Sequence, residues 1–316
     1  MTQNDSEWLQ FSSRPAIYGP PVTERYHRTA NGGLMDPRLV TLPRPFVVAI
    51  TGSGKGVGAA IAEAYAHAGA SGILLSSRTL DALERVRAGI RTINPDCEVH
   101  CQVCDVTSEE DITNLARECK KRFGRLDAAI INAGVASKFV TDSAGDRHFP
   151  RGILEDTTAD FFRVWNTNFN GAYLAARAFL PLLQETPNGA QAMVFISSIA
   201  SQHNYTDLTS AAYNISKLAV NRLVEHIDSA HKGDGILAHA LHPGCIQTNT
   251  NDYPSFWDDI FIDDMSLPGA FCVWLTRERR EWLAGRYLSA NWDVQELEKD
   301  KELIVKEDKF KSCLKV

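Results

Sequence analysis

The sequence has none of the long segments that attach a protein to a membrane or to a polyanion. No apolar run reaches the roughly 18 residues that would span a bilayer, and no long basic run accompanies the net charge of −6. Electrostatic attraction to nucleic acid or to anionic lipid therefore has no evident source. Residues 1–7 have neither the basic start nor the apolar core of a signal peptide, so we expect a cytoplasmic protein that binds neither nucleic acid nor membrane.

Cysteine is also too sparse and too scattered to form a framework. The 7 cysteines are spread through 316 residues, a length at which a hydrophobic core needs no disulfide staples. Four potential metal ligands lie close together in the chain, at Cys97, His100, Cys101 and Cys104. They fall in a predicted strand, where successive side chains point to opposite faces, and zinc sites normally combine two separated pairs of ligands. We therefore predict structural cysteines and no metal site.

Apolar runs and helical patterns alternate along most of the chain, whose composition is that of an ordinary globular protein, with 44% hydrophobic and 23% charged residues. Residues 1–44, rich in Pro, Gly and Arg, predict an irregular N-terminal arm, and residues 296–316 predict a charged tail. The alternation over residues 45–295 predicts a single α/β domain, a doubly wound parallel sheet of about seven strands with helices on both faces. The predicted strands cover residues 46–50, 72–75, 99–103, 128–131, 193–196, 236–241 and 285–288.

A glycine-rich turn, Thr51-Gly52-Ser53-Gly54-Lys55-Gly56-Val57-Gly58, follows the first predicted strand and precedes a helix-forming stretch. Glycines in this context let the backbone approach a pyrophosphate, whose charge lies at the helix N-terminus. A nucleoside triphosphate loop does not fit, because Ala49 stands where its first glycine should be and Gly56 follows Lys55 in place of Ser or Thr. The turn predicts a dinucleotide site, with a tight turn that binds no ligand as the alternative.

Tyr213 and Lys217 form a second motif, because residues four apart lie on one face of a helix. An unperturbed phenol has a pKa near 10, and a nearby positive charge favours its ionised form, so the pair suits proton transfer. Chance alone would supply a Tyr-x-x-x-Lys in about a third of such chains. The pair therefore gains its meaning from the motifs around it.

In the order and spacing of its motifs the chain resembles the short-chain dehydrogenase/reductase family, from about residue 46 to residue 291, and is similar to fungal members. The resemblance is to the single-domain branch whose turn reads Thr-Gly-x-x-x-Gly-x-Gly, and it implies a Rossmann-type fold. The other matching segments are Cys104-Asp105-Val106, Asn132-Ala133-Gly134, Asn168, Ser198, Tyr213 with Lys217, and Pro243-Gly244-Cys245-Ile246-Gln247-Thr248.

The resemblance implies a catalytic tetrad of Asn168, Ser198, Tyr213 and Lys217. Tyr213 would give a proton to the carbonyl oxygen during reduction and take it back in the reverse direction, while Ser198 would hydrogen-bond the same oxygen. Lys217 would favour the ionised tyrosine and bind the nicotinamide ribose, and Asn168 would fix a water on the proton path.

The resemblance also implies a bound nicotinamide dinucleotide. Asp105 and Val106 would contact the adenine, and Ile246 with Thr248 would hold the carboxamide. The implied cofactor-binding residues are Gly52, Ser53, Lys55, Gly56, Val57, Gly58, Ser77, Arg78, Asp105, Val106, Asn132, Ala133, Gly134, Tyr213, Lys217, Pro243, Gly244, Ile246 and Thr248.

The end of the second predicted strand indicates which dinucleotide is bound. An acidic residue there would bind the ribose 2′-hydroxyl and repel a 2′-phosphate, but residues 75–78 read Leu-Ser-Ser-Arg. Arg78 could pair with a 2′-phosphate, Ser77 could add a donor, and Lys55 faces the same region in the family. We predict NADP(H), with solvated roles for Arg78 and Lys55 as the alternative.

One candidate for substrate contacts lies between Ser198 and Tyr213, an interval that is slightly longer than is common in the family. The extra length falls in residues 202–207, which border the substrate in the family. We therefore expect His203 and Tyr205 to line a modified pocket.

The other candidate, residues 249–266, follows the sixth predicted strand, at the edge of the sheet where α/β proteins bind ligands. It could be a lid that covers an apolar substrate. The alternative is an amphipathic helix with an aromatic core face and solvated aspartates, Asp263 and Asp264 among them. The predicted substrate residues of the lid are Tyr253, Phe256 and Trp257.

These features predict an NADP(H)-dependent oxidoreductase that interconverts a carbonyl and an alcohol on a mid-sized, partly apolar metabolite. One alternative is a non-redox enzyme of the same fold, an isomerase, cyclase or dehydratase of specialised metabolism that uses a bound nucleotide. Another is a nucleotide-binding regulator without turnover, in which a damaged tetrad would be expected. The resemblance further implies a homodimer or homotetramer.

Overall fold

A computed structural model of the chain describes residues 8–10, 22–30, 35–186, 188–248, 258 and 260–314. A π-helical turn, Asn166–Asn170, lies between the helices Thr158–Trp165 and Gly171–Gln184. The strands are β1 (Trp8–Gln10), β2 (Arg25–His27), β3 (Val47–Thr51), β4 (Gly72–Ser77), β5 (Glu98–Val103), β6 (Ala128–Ile131), β7 (Val140–Thr141), β8 (Arg147–His148), β9 (Ala192–Ile196), β10 (Leu237–His242) and β11 (Arg286–Ser289). The helices are α1 (Gly56–His67), α2 (Leu80–Ile93), α3 (Glu109–Phe123), α4 (Thr158–Trp165), α5 (Gly171–Gln184), α6 (Ala211–His231), α7 (Ser266–Arg277), α8 (Val294–Lys299) and α9 (Lys301–Lys306).

Seven of the strands form one sheet in the order β11-β10-β9-β6-β3-β4-β5, and all neighbouring pairs are parallel. The chain builds outward from β3 in one direction through β4 and β5, and then in the other through β6, β9, β10 and β11. The reversal lies between β3 and β6, where ligands bind in open α/β sheets. The predicted Rossmann-type fold with seven strands is confirmed.

Both faces of the sheet are covered, as the unbroken apolar runs of the strands predict. Along β3, Val48 and Ile50 pack with α1, α2 and α7, whereas Val47 and Ala49 pack with α3, α5 and α6. This alternation is the period of two of a strand, here with apolar residues at the first four positions. The central strands of the sheet are therefore buried on both faces.

The N-terminal and C-terminal segments pack against the same core as the sheet. Tyr26 in β2 is 2% exposed, and its hydroxyl accepts a hydrogen bond of 2.8 Å from Trp292 Nε1. In the tail, Leu297 in α8 and Ile304 in α9 belong to the same hydrophobic cluster as Tyr26. The division of the chain at residues 44 and 296 stays a prediction.

Most of the predicted lid, including Tyr253, Phe256 and Trp257, lies outside the described residues. The chain re-enters the described part at residues 260–264 and continues into α7. None of the helices in the described ranges combines the length and apolarity that crossing a bilayer requires.

Candidate active site

The glycine turn after β3 has the backbone conformation that glycine permits. Gly52 and Gly56 have φ values of +67° and +58°, in the left-handed region that side chains rarely adopt. A Cβ added at Gly58 would lie 2.5 Å from both Asn132 Nδ2 and the Gly52 carbonyl oxygen. Because Asn132 Nδ2 donates to Thr51 O at 2.9 Å and to Gly52 O at 3.1 Å, the end of β6 fixes the turn.

The first turn of α1 can receive an anion. Lys55 is the N-cap residue and makes no side-chain capping hydrogen bond, so the amides of Gly56, Val57 and Gly58 are not capped by it. Backbone N–H groups at such a position bind phosphate. The buried hydroxyl of Ser53 accepts a hydrogen bond of 2.9 Å from Ser76 N and ties the turn to β4.

The ends of β4 and β5 bring the predicted 2′-phosphate residues beside the predicted adenine residues. Arg78 and Lys55 are exposed. The glycine turn passes close to the end of β4, because a Cβ added at Gly54 would lie 2.8 Å from Ser77 Oγ. The pKa of Asp105 is lowered by hydrogen bonds from Thr107 and further by the charge of Arg78.

Val106, the second predicted adenine residue, is buried. A Cβ added at Gly171, the first residue of α5, would lie 2.9 Å from Val106 Cγ2. Val106 therefore takes its place directly against the helix that follows the π turn.

Asn168 lies in the π turn, and three hydrogen bonds fix its side-chain amide. Its Oδ1 accepts from Val135 N at 2.8 Å, and its Nδ2 donates to Val135 O at 3.0 Å and to Ser216 Oγ at 3.1 Å. A Cβ added at Gly134 would lie 3.3 Å from Asn168 Oδ1 and 3.3 Å from Lys217 Nζ. The structure thus brings Gly134, Asn168 and Lys217 together, and Ala133 and Asn132 precede them on the same loop.

Lys217 is buried, with an exposed fraction of 4%. Its Nζ donates a hydrogen bond of 2.7 Å to the Ile196 carbonyl oxygen at the end of β9 and lies 5.7 Å from the centre of the Tyr213 ring. Burial lowers the pKa of Lys217 to about 8 because removing an ammonium from water disfavours its charged form. Tyr213 is partly exposed, one turn earlier on α6.

Ser198 follows β9 and begins the 3₁₀ turn Ile199–Gln202. Its Oγ accepts a hydrogen bond of 3.2 Å from Ala200 N, which orients the hydroxyl at the start of this turn. Ile196, the acceptor for Lys217, is two residues earlier. Ser198 and Lys217 are therefore anchored on the same strand end.

His203 and Tyr205 lie together near the start of α6. Their rings stack with centroids 4.4 Å apart, and His203 Nδ1 accepts a hydrogen bond of 3.3 Å from Tyr205 N. Asn214, the neighbour of Tyr213, donates from Nδ2 to His203 O at 3.4 Å. Burial lowers the pKa of His203, which favours its neutral ring.

The loop after β10 contains the predicted carboxamide contacts, and we name residues 243–248 the cofactor loop. Gly244 has a φ of +103°, and a Cβ added at Gly56 would lie 3.8 Å from Thr248 Cβ, so the loop faces the glycine turn. Cys245 N donates a hydrogen bond of 2.6 Å to Asp263 Oδ2. Pro243 and Ile246 flank this anchored segment in the chain.

Asp263 was expected as a solvated residue in the amphipathic-helix alternative, and this expectation is wrong. The side chain is 7% exposed, and its carboxylate accepts hydrogen bonds from two buried donors, Cys245 N and Asn291 Nδ2. Sequence reasoning missed Asp263 and Asn291. Their contacts join segments that lie far apart in the chain, so no local spacing points to them.

The seven cysteines are free thiols. In β5, burial raises the pKa of Cys101 to about 11 and that of Cys97, just before the strand, to about 12. Over the described ranges, no group of three or more His, Cys, Asp and Glu side chains lies close enough to hold a metal ion.

Comparison with protein families gives one match that covers most of the chain. The model described as short chain dehydrogenase matches residues 46–257. The short chain dehydrogenase pgmD of Aspergillus terreus is 36% identical over 314 residues, which cover 96% of this chain and 97% of pgmD. The short chain dehydrogenase citE of Monascus ruber is 36% identical over 268 residues, which cover 84% of this chain and 87% of citE.

Solved structures show the same fold. A levodione reductase superposes with a TM-score of 0.66 at 23% identity and covers 78% of this chain and 96% of its own. A short-chain type dehydrogenase/reductase from Mycobacterium marinum superposes with a TM-score of 0.67 at 22% identity, covering 82% and 97%.

Proposed function

Because the chain belongs to the short-chain dehydrogenase/reductase family, whose members are oxidoreductases that use a nicotinamide dinucleotide, we propose that it uses NADP(H) to interconvert a carbonyl and an alcohol on a mid-sized, partly apolar metabolite. One observation carries the proposal. Lys217 Nζ and Asn168 Oδ1 approach the same point beside Gly134, at the carboxyl edge of the sheet and one helical turn from Tyr213.

Tyr213 is the proposed proton donor in reduction and the proton acceptor in oxidation. The ammonium of Lys217 is fixed by its hydrogen bond to Ile196 O, and a fixed positive charge nearby favours the ionised phenol. Ser198, anchored after the same strand, would donate a hydrogen bond to the substrate oxygen. A bound nicotinamide would supply or accept the hydride.

Lys217 would also bind the cofactor ribose. With a pKa of about 8, it is mostly protonated at pH 7 and keeps donors beyond the one that Ile196 O accepts. Asn168 would help to orient a proton path, because its own amide is fixed by Val135 and Ser216. Its rigidity supports a positioning role.

The turn residues fit a dinucleotide pyrophosphate. The amides of Gly56, Val57 and Gly58 begin α1 without a side-chain cap from Lys55, as phosphate binding requires. The cofactor loop faces them, since Thr248 is the nearest neighbour of a Cβ added at Gly56. Ile246 and Thr248 would then bind the nicotinamide half of the molecule.

The choice of NADP(H) rests on the end of β4. Residues 75–78 contain no carboxylate that would repel a 2′-phosphate. Arg78 is exposed there. Its positive charge lowers the pKa of Asp105, so it lies beside the proposed adenosine site. Its guanidinium could form charge-assisted hydrogen bonds with the phosphate.

The proposal is tested by incubating the purified protein with a panel of ketones, aldehydes and alcohols together with NADPH, NADH or their oxidised forms. The absorbance of the reduced nicotinamide and the mass of the product are both followed. We expect consumption of NADPH with a product two hydrogens heavier, and slower reaction with NADH. A rearranged or dehydrated product without net change in the nicotinamide would contradict the proposal and favour a non-redox enzyme.

We also propose that the enzyme acts in the cytoplasm as a homodimer or homotetramer. Phe162 on α4 and Ile215 and Leu218 on α6 are 53%, 48% and 44% exposed. Burying such apolar side chains in a subunit contact would be favourable. Light scattering on the purified protein should give twice or four times the chain mass of 35.0 kDa, and a monomer would contradict this part of the proposal.

A further inference from the structure

Asp263 is a buried carboxylate that lies outside the proposed tetrad but touches the cofactor loop. Its Oδ2 accepts hydrogen bonds from Cys245 N at 2.6 Å and from Asn291 Nδ2 at 3.0 Å. The backbone contact is reciprocal, because Asp263 N donates to Cys245 O at 3.1 Å. A Cβ added at Gly244 would lie 3.0 Å from Asp263 Oδ2. The carboxylate therefore fixes both the hydrogen bonding and the close packing of this part of the loop.

The segment that carries Asp263 is held by the N-terminal arm. Arg28 donates from Nε and Nη2 to the Ile262 carbonyl oxygen, at 3.1 and 2.7 Å. Arg28 O in turn accepts a hydrogen bond of 2.7 Å from Asp264 N. The arm thus binds the residues on both sides of Asp263.

Asn291, just after β11, completes the connection between the arm and the carboxylate. His27 N donates to Asn291 O at 2.7 Å, and Asn291 Nδ2 donates to His27 O at 2.9 Å as well as to Asp263. We name His27, Arg28, Asp263 and Asn291 the arm clamp. Three segments that are remote in sequence meet in it, around the segment that carries the Asp263 carboxylate.

We propose that the arm clamp positions the cofactor loop for the nicotinamide half of the cofactor, with Asp263 as the positioning residue and Arg28 as its support. The inference rests on the proposed function, in which Ile246 and Thr248 bind that half. The clamp lies at the β10–β11 end of the sheet, whereas Arg78 and Asp105 lie at the β4–β5 end. Changes in the clamp should therefore alter nicotinamide binding and spare adenosine binding.

A binding experiment on the full chain separates the two halves of the cofactor. Calorimetry measures the dissociation constants of NADPH and of 2′,5′-ADP, which has the adenosine and its 2′-phosphate but no nicotinamide; NADH and ADP are measured in parallel. The variants are Asp263→Asn, which keeps the size of a buried side chain, and Arg28→Ala, which removes the bonds to Ile262 O.

Each clamp variant has a matched control. The control changes the same type of side chain at a position whose side chain makes none of the clamp contacts. Asp264→Asn changes the next carboxylate, which is exposed and accepts hydrogen bonds from Ser266. Arg38→Ala removes another arm arginine, which pairs with Asp36. Thermal unfolding without cofactor, together with circular dichroism, shows whether each variant is folded.

We expect both clamp variants to weaken NADPH binding about tenfold, as loss of a charge-assisted contact would, and to change 2′,5′-ADP binding by less than about twofold. The controls should bind both ligands as the wild type does. Equal weakening of NADPH and 2′,5′-ADP, an equal effect of Asp264→Asn, or unchanged NADPH binding in both clamp variants would overturn the inference.

Failure of the proposed function would look different. A wild-type protein that binds neither NADPH nor NADH would overturn the proposed function and the inference together. A wild type that turns over a carbonyl substrate with NADPH but binds 2′,5′-ADP as tightly as NADPH would overturn only the inference, because the clamped loop would then contribute nothing to binding.

Discussion

The Lys217 ammonium nitrogen lies 5.7 Å from the centre of the Tyr213 ring and is bonded to the Ile196 carbonyl oxygen. The helix sets the spacing between the two side chains, and the strand end sets where the charge lies. Burial of this charge disfavours the protonated lysine. The two residues are therefore proposed to act together in catalysis, and the burial of Lys217 should also affect the stability of the fold.

Stability should depend on pH through Lys217. Its pKa is about 8 in the folded chain, and a lysine in the unfolded chain has a pKa near 10.4. Between these two pKa values the unfolded chain binds more protons than the folded chain. The contribution of Lys217 to the free energy of unfolding therefore rises with pH in this range. Below about pH 8 the lysine is protonated in both states, and the full cost of burying its charge is present.

Lys217→Met removes this contribution. The gain in the free energy of unfolding over the wild type should therefore be largest at pH 7. The gain should fall by about 3 kcal/mol as pH rises toward 10.5. Urea unfolding of both proteins at several pH values measures the difference. A difference that stays constant with pH would show that Lys217 does not titrate in this range.

Cofactor preference should depend on Arg78. Arg78→Ala should raise KM for NADPH about tenfold or more, because charge-assisted hydrogen bonds to the 2′-phosphate are lost, and leave KM for NADH nearly unchanged. Arg85→Ala is the matched control, since Arg85 is an exposed arginine within α2. Equal losses for NADPH and NADH with Arg78→Ala would contradict the 2′-phosphate contact.

The π turn should lose stability when Asn168 is truncated. Asn168→Ala removes the three hydrogen bonds that its amide makes with Val135 and Ser216, and we expect a loss of about 2–4 kcal/mol in the free energy of unfolding. Asn170→Ala, in the same turn but exposed, should change it by less than about 0.5 kcal/mol. Denaturant unfolding of the two variants compares them, and similar values would argue against a special role for the buried amide.

Two glycine-to-alanine changes should have opposite effects on stability. Gly58→Ala places a Cβ 2.5 Å from Gly52 O, so it should destabilise the turn and weaken dinucleotide binding. Gly89→Ala in α2 meets no atom closer than 3.8 Å and should raise the free energy of unfolding by up to about 1 kcal/mol. Thermal melts and NADPH titration test both; a stable, binding-competent Gly58→Ala protein would contradict the geometry.

Local patterns in the sequence were sufficient to predict the sheet. The inner strands β3, β6 and β9 are apolar runs that are buried on both faces. The glycine turn has the spacing that a close backbone approach requires. The meeting of Asn168 with Lys217 followed only from the family resemblance, since 48 positions separate Asn168 from Ser216, its partner on α6.

The arm clamp could not be predicted from the sequence. Arg28 and Ile262 lie 234 positions apart, and neither belongs to a periodic pattern or to a motif. Asp263 stands in an acidic stretch that suggests a solvated face, and only tertiary packing buries it against the cofactor loop. Contacts of this kind depend on the assembled fold and not on local spacing.

The most direct test of the proposed function is the rate of a single turnover with NADPH bound, in the wild type and in Tyr213→Phe. Loss of the proton donor should slow the reaction at least about a hundredfold, while the dissociation constant of NADPH stays nearly the same because the ring is retained. Equal rates in the two proteins would contradict the assignment of Tyr213 as the proton donor.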